Sequence, residues 1–236
     1  MHIKVVTAGI YPSKTDEVTG ITLSIQNIRV IVSVMQELFI LDDFDITKIL
    51  EELSSIGATS IRILNEDFRM ALLKEAEGYA YKPEEEIVGS VDRIVRQQMG
   101  SFNDFSDGSN YILLKNSFQA WLDGCLAELD NYPFEIPLSF NSMVLQRYEK
   151  GSLGITPHRD GLSYINLVCV FNISGRGRFF ICSDRSGRDV REIDISPGNV
   201  VLMRAPGCFG TKDRPFHYVT EIHETRYTFG LRQKSL

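Results

Sequence analysis

The feature that most constrains the fold is a series of short apolar segments in the second half of the chain, separated by glycine, proline and charged turn residues. Segments of this length, rich in β-branched and aromatic residues, are typical of β-strands. Seven of them at close spacing predict a two-sheet sandwich or jelly roll. The predicted strands are residues 140–148, 164–172, 178–183, 190–195, 200–204, 216–222 and 226–231.

The first 135 residues are dominated by helical periodicity instead. Asp45 as an N-cap and Gly57 as a stop signal predict a helix over residues 46–56. Apolar residues that recur every three or four positions predict two further helices, at residues 66–79 and 109–130. β-branched or apolar runs predict additional strands at residues 28–34, 36–41 and 91–99.

These patterns together predict an α+β fold, with a double-stranded β-helix (jelly roll) in the C-terminal half and N-terminal helices packed on it. A chain of 236 residues is long enough to bury one sizeable core. We therefore expect one domain over residues 1–236, in which residues 1–135 supply strands and supporting helices and residues 136–236 form the jelly-roll core.

The composition limits the binding partners and the cellular location that we expect for this protein. A net charge of −6 argues against binding to bulk nucleic acid, which requires clustered positive charge. The four cysteines show no paired spacing, so free thiols are expected rather than disulfides or a zinc site. No signal peptide or membrane-spanning run is visible, and a cytoplasmic protein without membrane partners is therefore expected.

The chemistry centres on His158 and Asp160, which lie two residues apart and project to the same side of an extended segment. A third ligand candidate, His217, lies on a later predicted strand. Two imidazoles and one carboxylate on one face of a metal leave three positions open, an arrangement typical of catalytic non-haem Fe(II). Alone, His158 would more often be an ordinary hydrogen-bonded surface histidine.

Several segments of the C-terminal half, taken in order, resemble Fe(II)/2-oxoglutarate-dependent dioxygenases, and specifically the AlkB-like branch. The N-terminal 135 residues carry no matching motif. The resemblance implies an oxidoreductase with Fe(II), 2-oxoglutarate and O2 as cofactor and cosubstrates. The segments that carry it are residues 140–151, 157–160, 196–203, 217–219 and 226–232.

The resemblance also implies a role for individual residues. His158, Asp160 and His217 would be the catalytic metal ligands, and Arg226 would pair with the distal carboxylate of 2-oxoglutarate through its planar guanidinium. Further cosubstrate contacts are implied for Tyr148 at that same carboxylate and for Arg232 near the metal-chelating end. Gln146 and Thr228 occupy two further positions of the cosubstrate site, and both depart from the family pattern. Gln146 stands where the family has Asn, and Thr228 stands where a polar amide is common.

His223 is the competing candidate for the third ligand, because it too precedes an arginine by nine residues. His217 is favoured because it follows Pro197-Gly198 and the strand at 200–204, as the family pattern requires. The segment around His223 is polar and is interpreted as a hairpin tip between strands.

The implied reaction oxidises an organic substrate and releases succinate and CO2. Leu162 stands where repair enzymes of the AlkB-like branch tend to carry an acidic base reader. A small-molecule or protein substrate is therefore favoured over nucleic acid, and demethylation of alkylated bases is the alternative within the enzyme class. A non-catalytic jelly-roll binding module is the alternative from another class. The sequence does not indicate an oligomeric state.

Overall fold

Thirteen strands in two antiparallel sheets dominate residues 35–235, the part of the chain that the computed structural model describes. The helices are α1 (Ile46–Ser55), α2 (Glu66–Glu77) and α3 (Asn110–Ala127). The strands of the first half are β1 (Ala58–Arg62), β2 (Lys82–Pro83), β3 (Ile87–Val88), β4 (Val95–Gln98) and β5 (Gly100–Phe102). Those of the second half are β6 (Ser142–Tyr148), β7 (Gly154–His158), β8 (Tyr164–Ser174), β9 (Arg178–Cys182), β10 (Arg191–Ile193), β11 (Asn199–Arg204), β12 (Phe216–Thr220) and β13 (Arg226–Lys234).

The strands form a larger and a smaller sheet. The larger sheet has seven strands in the order β1-β11-β8-β13-β6-β5-β2, and the smaller has six in the order β10-β9-β12-β7-β4-β3. Side chains from the inner faces of both sheets, such as Val168 and Val201 on one and Phe179 and Val219 on the other, share one apolar cluster. The arrangement is the predicted double-stranded β-helix.

Strand β13 has an apolar face and a face with polar side chains, because successive side chains of a strand point to opposite faces of the sheet. Tyr227, Phe229 and Leu231 belong to the apolar core between this sheet and the helices. Arg226 and Thr228 alternate with them and are also buried, which places two polar side chains on the face turned towards the smaller sheet.

The helices α2 and α3 cover the outer face of the larger sheet. Each begins at a side-chain cap: Asn65 accepts a hydrogen bond from Asp67 N, and Ser109 accepts one from Tyr111 N. In α3, Phe118 is fully buried and its ring packs edge-on against Phe171 of β8, with centroids 4.9 Å apart. Apolar burial of this kind supplies most of the helices' stability.

The structure confirms the predicted fold class and all seven predicted C-terminal strands, and it adds an eighth. The added strand is β7, which the sequence analysis treated only as an extended segment although it carries His158. Two N-terminal strand predictions were wrong in part. Residues 35–38 are helical, with Phe39 in an isolated bridge to Leu64, and residues 91–93 form a 3-10 turn before β4. The predicted strand at 28–34 lies outside the described residues.

The three predicted helices are all present, with Asp45 capping α1 through hydrogen bonds from Thr47 N and Lys48 N. All four cysteines are free, as expected, and two of them, Cys169 and Cys208, are buried. Among residues 35–235, no helix is both long and apolar enough to cross a membrane.

Candidate metal centre

The pairing of β7 with β12 brings the two predicted histidine ligands together. His158 and His217 are cross-strand partners in the antiparallel ladder, and their ring centroids lie 4.3 Å apart. Asp160 lies two residues beyond the end of β7. Its Oδ1 lies 3.9 Å from Nε2 of His158 and 3.8 Å from Nε2 of His217. One ligand atom from each of the three residues therefore lies within 4.8 Å of the others.

Backbone carbonyls fix the orientation of both imidazoles. Nδ1 of His158 lies 2.9 Å from the carbonyl oxygen of Thr156, and Nδ1 of His217 lies 3.3 Å from that of Pro215. In the neutral tautomer in which Nδ1 donates to these carbonyls, each Nε2 carries a lone pair directed at the shared centre. Burial lowers the pKa of His217, and burial together with the neighbouring His217 lowers the pKa of His158 to about 4. Both rings are therefore neutral at physiological pH, as metal ligands must be.

Asp160 is held as a carboxylate in a buried position. Burial alone would raise its pKa, but the charge of Arg232 outweighs this and lowers it. The Nε of Arg232 lies 3.6 Å from Oδ2 of Asp160, and Nε of Arg214 donates to the backbone carbonyl of Asp160 at 2.8 Å. Two neutral imidazole nitrogens and one carboxylate oxygen, all converging, form a donor set that fits Fe(II).

A buried cation on the larger sheet is the second element of the site. Arg226 is 2 % exposed, its Nη2 donates to Oδ1 of Asn172, and its guanidinium carbon lies 5.5 Å from the centroid of the Tyr148 ring. Its Nε has no hydrogen-bond partner, and the guanidinium forms no salt bridge to a carboxylate within residues 35–235. Burial lowers the pKa of Arg226 to about 10, so the group stays charged. A buried guanidinium with unused donors is suited to an anionic ligand.

The remaining predicted cosubstrate residues lie around this arginine. Thr228 faces Gln146 across the β13–β6 ladder, and its buried Oγ1 has no hydrogen-bond partner within the described residues. Nε2 of Gln146 donates to the sulfur of Met99 at 3.1 Å. Burial raises the pKa of the Tyr148 hydroxyl, against the opposing charges of Arg226 and Arg232. Tyr148 therefore lies on the same buried face as Arg226, with its ring beside the guanidinium.

Asn172 is a site residue that the sequence analysis missed. It lies on β8, pairs with Thr228 in the ladder, and is 1 % exposed. Besides accepting from Arg226, its Nδ2 donates to the carbonyl oxygen of Asn199 at 3.3 Å. The available signal was an amide within the apolar run from Leu167 to Ile173, because a buried amide requires partners.

Two other predicted features lie away from the triad. His223 is exposed in the segment between β12 and β13, with Nε2 3.6 Å from a carboxylate oxygen of Glu221. That segment is not the predicted hairpin, since β12 and β13 belong to different sheets and the chain crosses between them. Leu162 is 63 % exposed, beyond the end of β7.

Comparison with solved structures agrees with this architecture. A prolyl hydroxylase from Trichoplax adhaerens, in complex with a peptide fragment of a hypoxia inducible factor oxygen degradation domain, superposes with a TM-score of 0.59 at 13 % identity, covering 91 % of this chain and 94 % of that one. The non-heme α-ketoglutarate-dependent epimerase SnoN from nogalamycin biosynthesis gives a TM-score of 0.57 at 13 % identity, with 80 % and 82 % covered. A prolyl-4-hydroxylase from Pseudomonas putida gives 0.54 at 13 % identity, with 80 % and 98 % covered.

These likenesses establish the fold: the chain has the double-stranded β-helix of these structures. No protein-family model matches the sequence, and no curated protein matches it. Any function beyond the fold must therefore be argued from the site.

Proposed function

We propose that this protein is an oxygenase that uses Fe(II), 2-oxoglutarate and O2 to oxidise an organic substrate, with a polypeptide side chain as the favoured substrate and a small molecule as the alternative. The observation that carries the proposal is the combination of the His158–Asp160–His217 triad with Arg226, a buried cation that forms no salt bridge among the described residues. A non-catalytic module that only binds a metal would not require the buried guanidinium of Arg226.

The proposed metal ligands are Nε2 of His158, Nε2 of His217 and a carboxylate oxygen of Asp160. Bound Fe(II) supplies the activation of O2, which organic molecules otherwise react with slowly. The protein holds both imidazoles neutral and correctly turned through Thr156 and Pro215. Arg232 holds the carboxylate of Asp160 in its ionised form. These outer contacts set the basicity and orientation of the ligands.

The proposed role of Arg226 is to bind the distal carboxylate of 2-oxoglutarate. Asn172 accepts one of its N–H groups and thereby orients the planar fork, while Nε has no protein partner. Thr228, whose buried Oγ1 has no hydrogen-bond partner among the described residues, and Tyr148, whose ring lies beside Arg226, are the further donors proposed for the same carboxylate. A charge-assisted pair in such a buried place is strong and directional.

The proposed reaction balances as follows. 2-Oxoglutarate, O2 and a substrate C–H give succinate, CO2 and a substrate C–OH, so that one oxygen atom of O2 enters succinate and the other enters the substrate. The protein contributes positioning of both organic molecules and exclusion of water from the buried centre. A polypeptide substrate is supported by the fold shared with a prolyl hydroxylase that was solved in complex with a peptide fragment.

The test is an assay of succinate formation. The protein is incubated with Fe(II) and 2-oxoglutarate under ¹⁸O2, and mass spectrometry measures succinate and its label. We expect iron-dependent succinate carrying one ¹⁸O, even without an added substrate, through slow uncoupled turnover. The matched control is Asp160→Asn, which preserves the shape of the side chain and removes the anionic ligand.

Two results together would overturn the proposal. The first is succinate formation no higher than that of Asp160→Asn, and the second is no Fe(II) binding by calorimetry under anaerobic conditions.

A further inference from the structure

A groove beside the metal triad is lined by arginines. We define this arginine groove by Arg159, Arg191, Arg204, Arg214 and Phe216, which line one continuous depression. The groove shares Arg204 and Arg214 with the cleft that is lined by Asp160 and His217. A molecule lying in the arginine groove would therefore reach the triad.

Three of these arginines form no salt bridge with a carboxylate of the described residues. Arg204 is paired with Asp213 and also donates to the carbonyl of Ser54 at 2.6 Å. Within residues 35–235, Arg159, Arg191 and Arg214 form no salt bridge with a carboxylate. In a chain of net charge −6, this is a local concentration of positive charge.

The ring of Phe216 packs near two guanidinium groups. The guanidinium carbon of Arg159 lies 4.2 Å from the centroid of the Phe216 ring, and that of Arg185 lies 5.6 Å from it. Both distances fall within the range of cation–π attraction. The Nη1 of Arg185 is buried and has no hydrogen-bond partner in the described part of the chain. The aromatic ring therefore keeps guanidinium groups oriented with donors that an anionic ligand can use.

The like charges in the groove also repel one another. Arg159 and Arg214 line the same depression, so their positive charges lie near one another. Guanidinium groups that line one depression and form no salt bridge repel one another, and a bound anion would relieve the part of this repulsion that Asp189 and Asp213 leave.

We propose that the arginine groove binds carboxylates of an acidic segment of a polypeptide substrate and so places a neighbouring residue of that segment at the triad. This inference rests on the proposed function and specifies its substrate class. Arginine forks match carboxylates in bidentate geometry.

Charge within the groove favours an acidic peptide over nucleic acid. Asp189 and Asp213 line the same depression and interrupt its positive charge, so separate anionic groups fit it better than a continuous row of phosphates. Nucleic acids gain affinity by neutralising many phosphates along a strand, whereas three unpaired arginines match a few spaced carboxylates.

The test measures binding without metal, so that its result is independent of the succinate assay. Fluorescence anisotropy follows a labelled oligo-glutamate peptide in the presence of EDTA at low salt, with oligo-lysine and single-stranded oligothymidylate of equal length as comparison probes. The charge reversals are Arg159→Glu and Arg191→Glu, both at exposed positions. The matched control is Arg176→Glu, at an exposed arginine that pairs with Glu224 outside the groove.

We expect oligo-glutamate to bind the wild type more tightly than either comparison probe. The double reversal should lower that affinity by at least about tenfold, and Arg176→Glu should leave it within about twofold. Equal binding by wild type and the double reversal, no binding of oligo-glutamate by the wild type, or tighter binding of oligothymidylate would each overturn the proposal. Binding without succinate formation would support the groove and count against the proposed function alone.

Discussion

The inner faces of the two sheets divide the candidate site between them. The smaller sheet contributes His158 and His217, two neutral imidazoles from neighbouring strands. The larger sheet contributes Arg226 and Arg232 from one strand, β13. Asp160 contacts residues of both sheets, since its carboxylate lies near both imidazoles and near Arg232. One sheet is therefore equipped to hold a metal, and the other to hold an anion beside it.

The two faces of the larger sheet differ just as clearly. Its outer face is an apolar core against the helices, whereas its inner face buries polar groups such as Asn172, Arg226 and Thr228. Apolar burial stabilises a fold, while buried polar groups with unused hydrogen-bonding capacity cost stability. The inner face also contributes to the apolar cluster between the sheets, so the buried polar groups, and not burial as such, distinguish it from the outer face.

The sharpest test of the smaller sheet's role is His217→Ala. We expect Fe(II) affinity, measured by anaerobic calorimetry, to fall by more than about 1,000-fold, because even the loss of an outer partner of a ligand costs about 10–100-fold. His223→Ala is the matched control, since His223 is exposed and lies away from the triad. If His223→Ala abolished binding and His217→Ala did not, the assignment of the third ligand would be wrong.

Removing a large side chain from the outer face should affect stability alone. Phe118→Ala deletes a fully buried ring that packs on Phe171 and should lower the free energy of unfolding in urea by about 3–5 kcal/mol. Leu113→Ala on the same helix is the control, and because Leu113 is exposed we expect a change within about 0.5 kcal/mol. Fe(II) affinity of the folded Phe118→Ala protein should be unchanged. A weakened metal site would show that the two faces are not independent.

Lowering the pH should destabilise the metal-free protein, because His158 on the smaller sheet is buried in its neutral form. The pKa of His158 is about 4 in the folded protein and about 6.5 when unfolded, so between these values the unfolded state binds more protons. Stability should therefore fall as the pH is lowered from 7 towards 4, by roughly 3 kcal/mol from this residue. Urea unfolding in EDTA measures the slope, and His158→Asn should reduce it. Identical slopes for the two proteins would contradict the burial of a neutral imidazole.

Arg226→Met should separate stability from ligand binding on the inner face of the larger sheet. We expect the Kd for 2-oxoglutarate to rise by at least about 30-fold, because the ligand's carboxylate loses a buried charged partner. The melting temperature of the free protein should stay the same or rise, since a buried guanidinium that forms no salt bridge with a described carboxylate disappears. Arg147→Met on adjacent β6, at an arginine paired with Glu149, is the control and should leave the Kd unchanged. An unchanged Kd for Arg226→Met would remove the proposed anion site.

The sequence was sufficient for the features that depend on local pattern. Alternating apolar runs gave the strands of the jelly roll, and caps such as Asp45 gave the helix starts. Strand β7 was missed because Pro157 and the polar residues around it lack alternation, and only pairing with β12 and β4 makes it a strand. The start of the described region was misassigned because residues 35–38 are helical and only Phe39 forms a bridge, to Leu64, a difference that an apolar run does not encode.

The candidate site was predictable where residue identity alone carries the chemistry, as in His158, Asp160 and His217. Asn172 could not be assigned in this way, since its role depends on a ladder that places it beside Arg226. The arginine groove could not be predicted from the sequence either. Arg159, Arg191 and Arg214 are far apart in sequence and meet only where the ends of several strands converge.

The smallest expected effect tests the contact between the sheets at Asp160. A Cβ on Gly230 would lie 2.8 Å from Nη1 of Arg232 and 3.3 Å from Cγ1 of Val144, so Gly230→Ala should push the Arg232 guanidinium aside. Because Arg232 lies beside the carboxylate of Asp160, we expect Fe(II) affinity to fall by about tenfold or less. Gly108→Ala is the control, since no heavy atom lies within 4 Å of its added Cβ. A loss as large as that of His217→Ala would mean that Arg232 acts on the metal site as strongly as a ligand does, and that the division between the two sheets does not hold at this point.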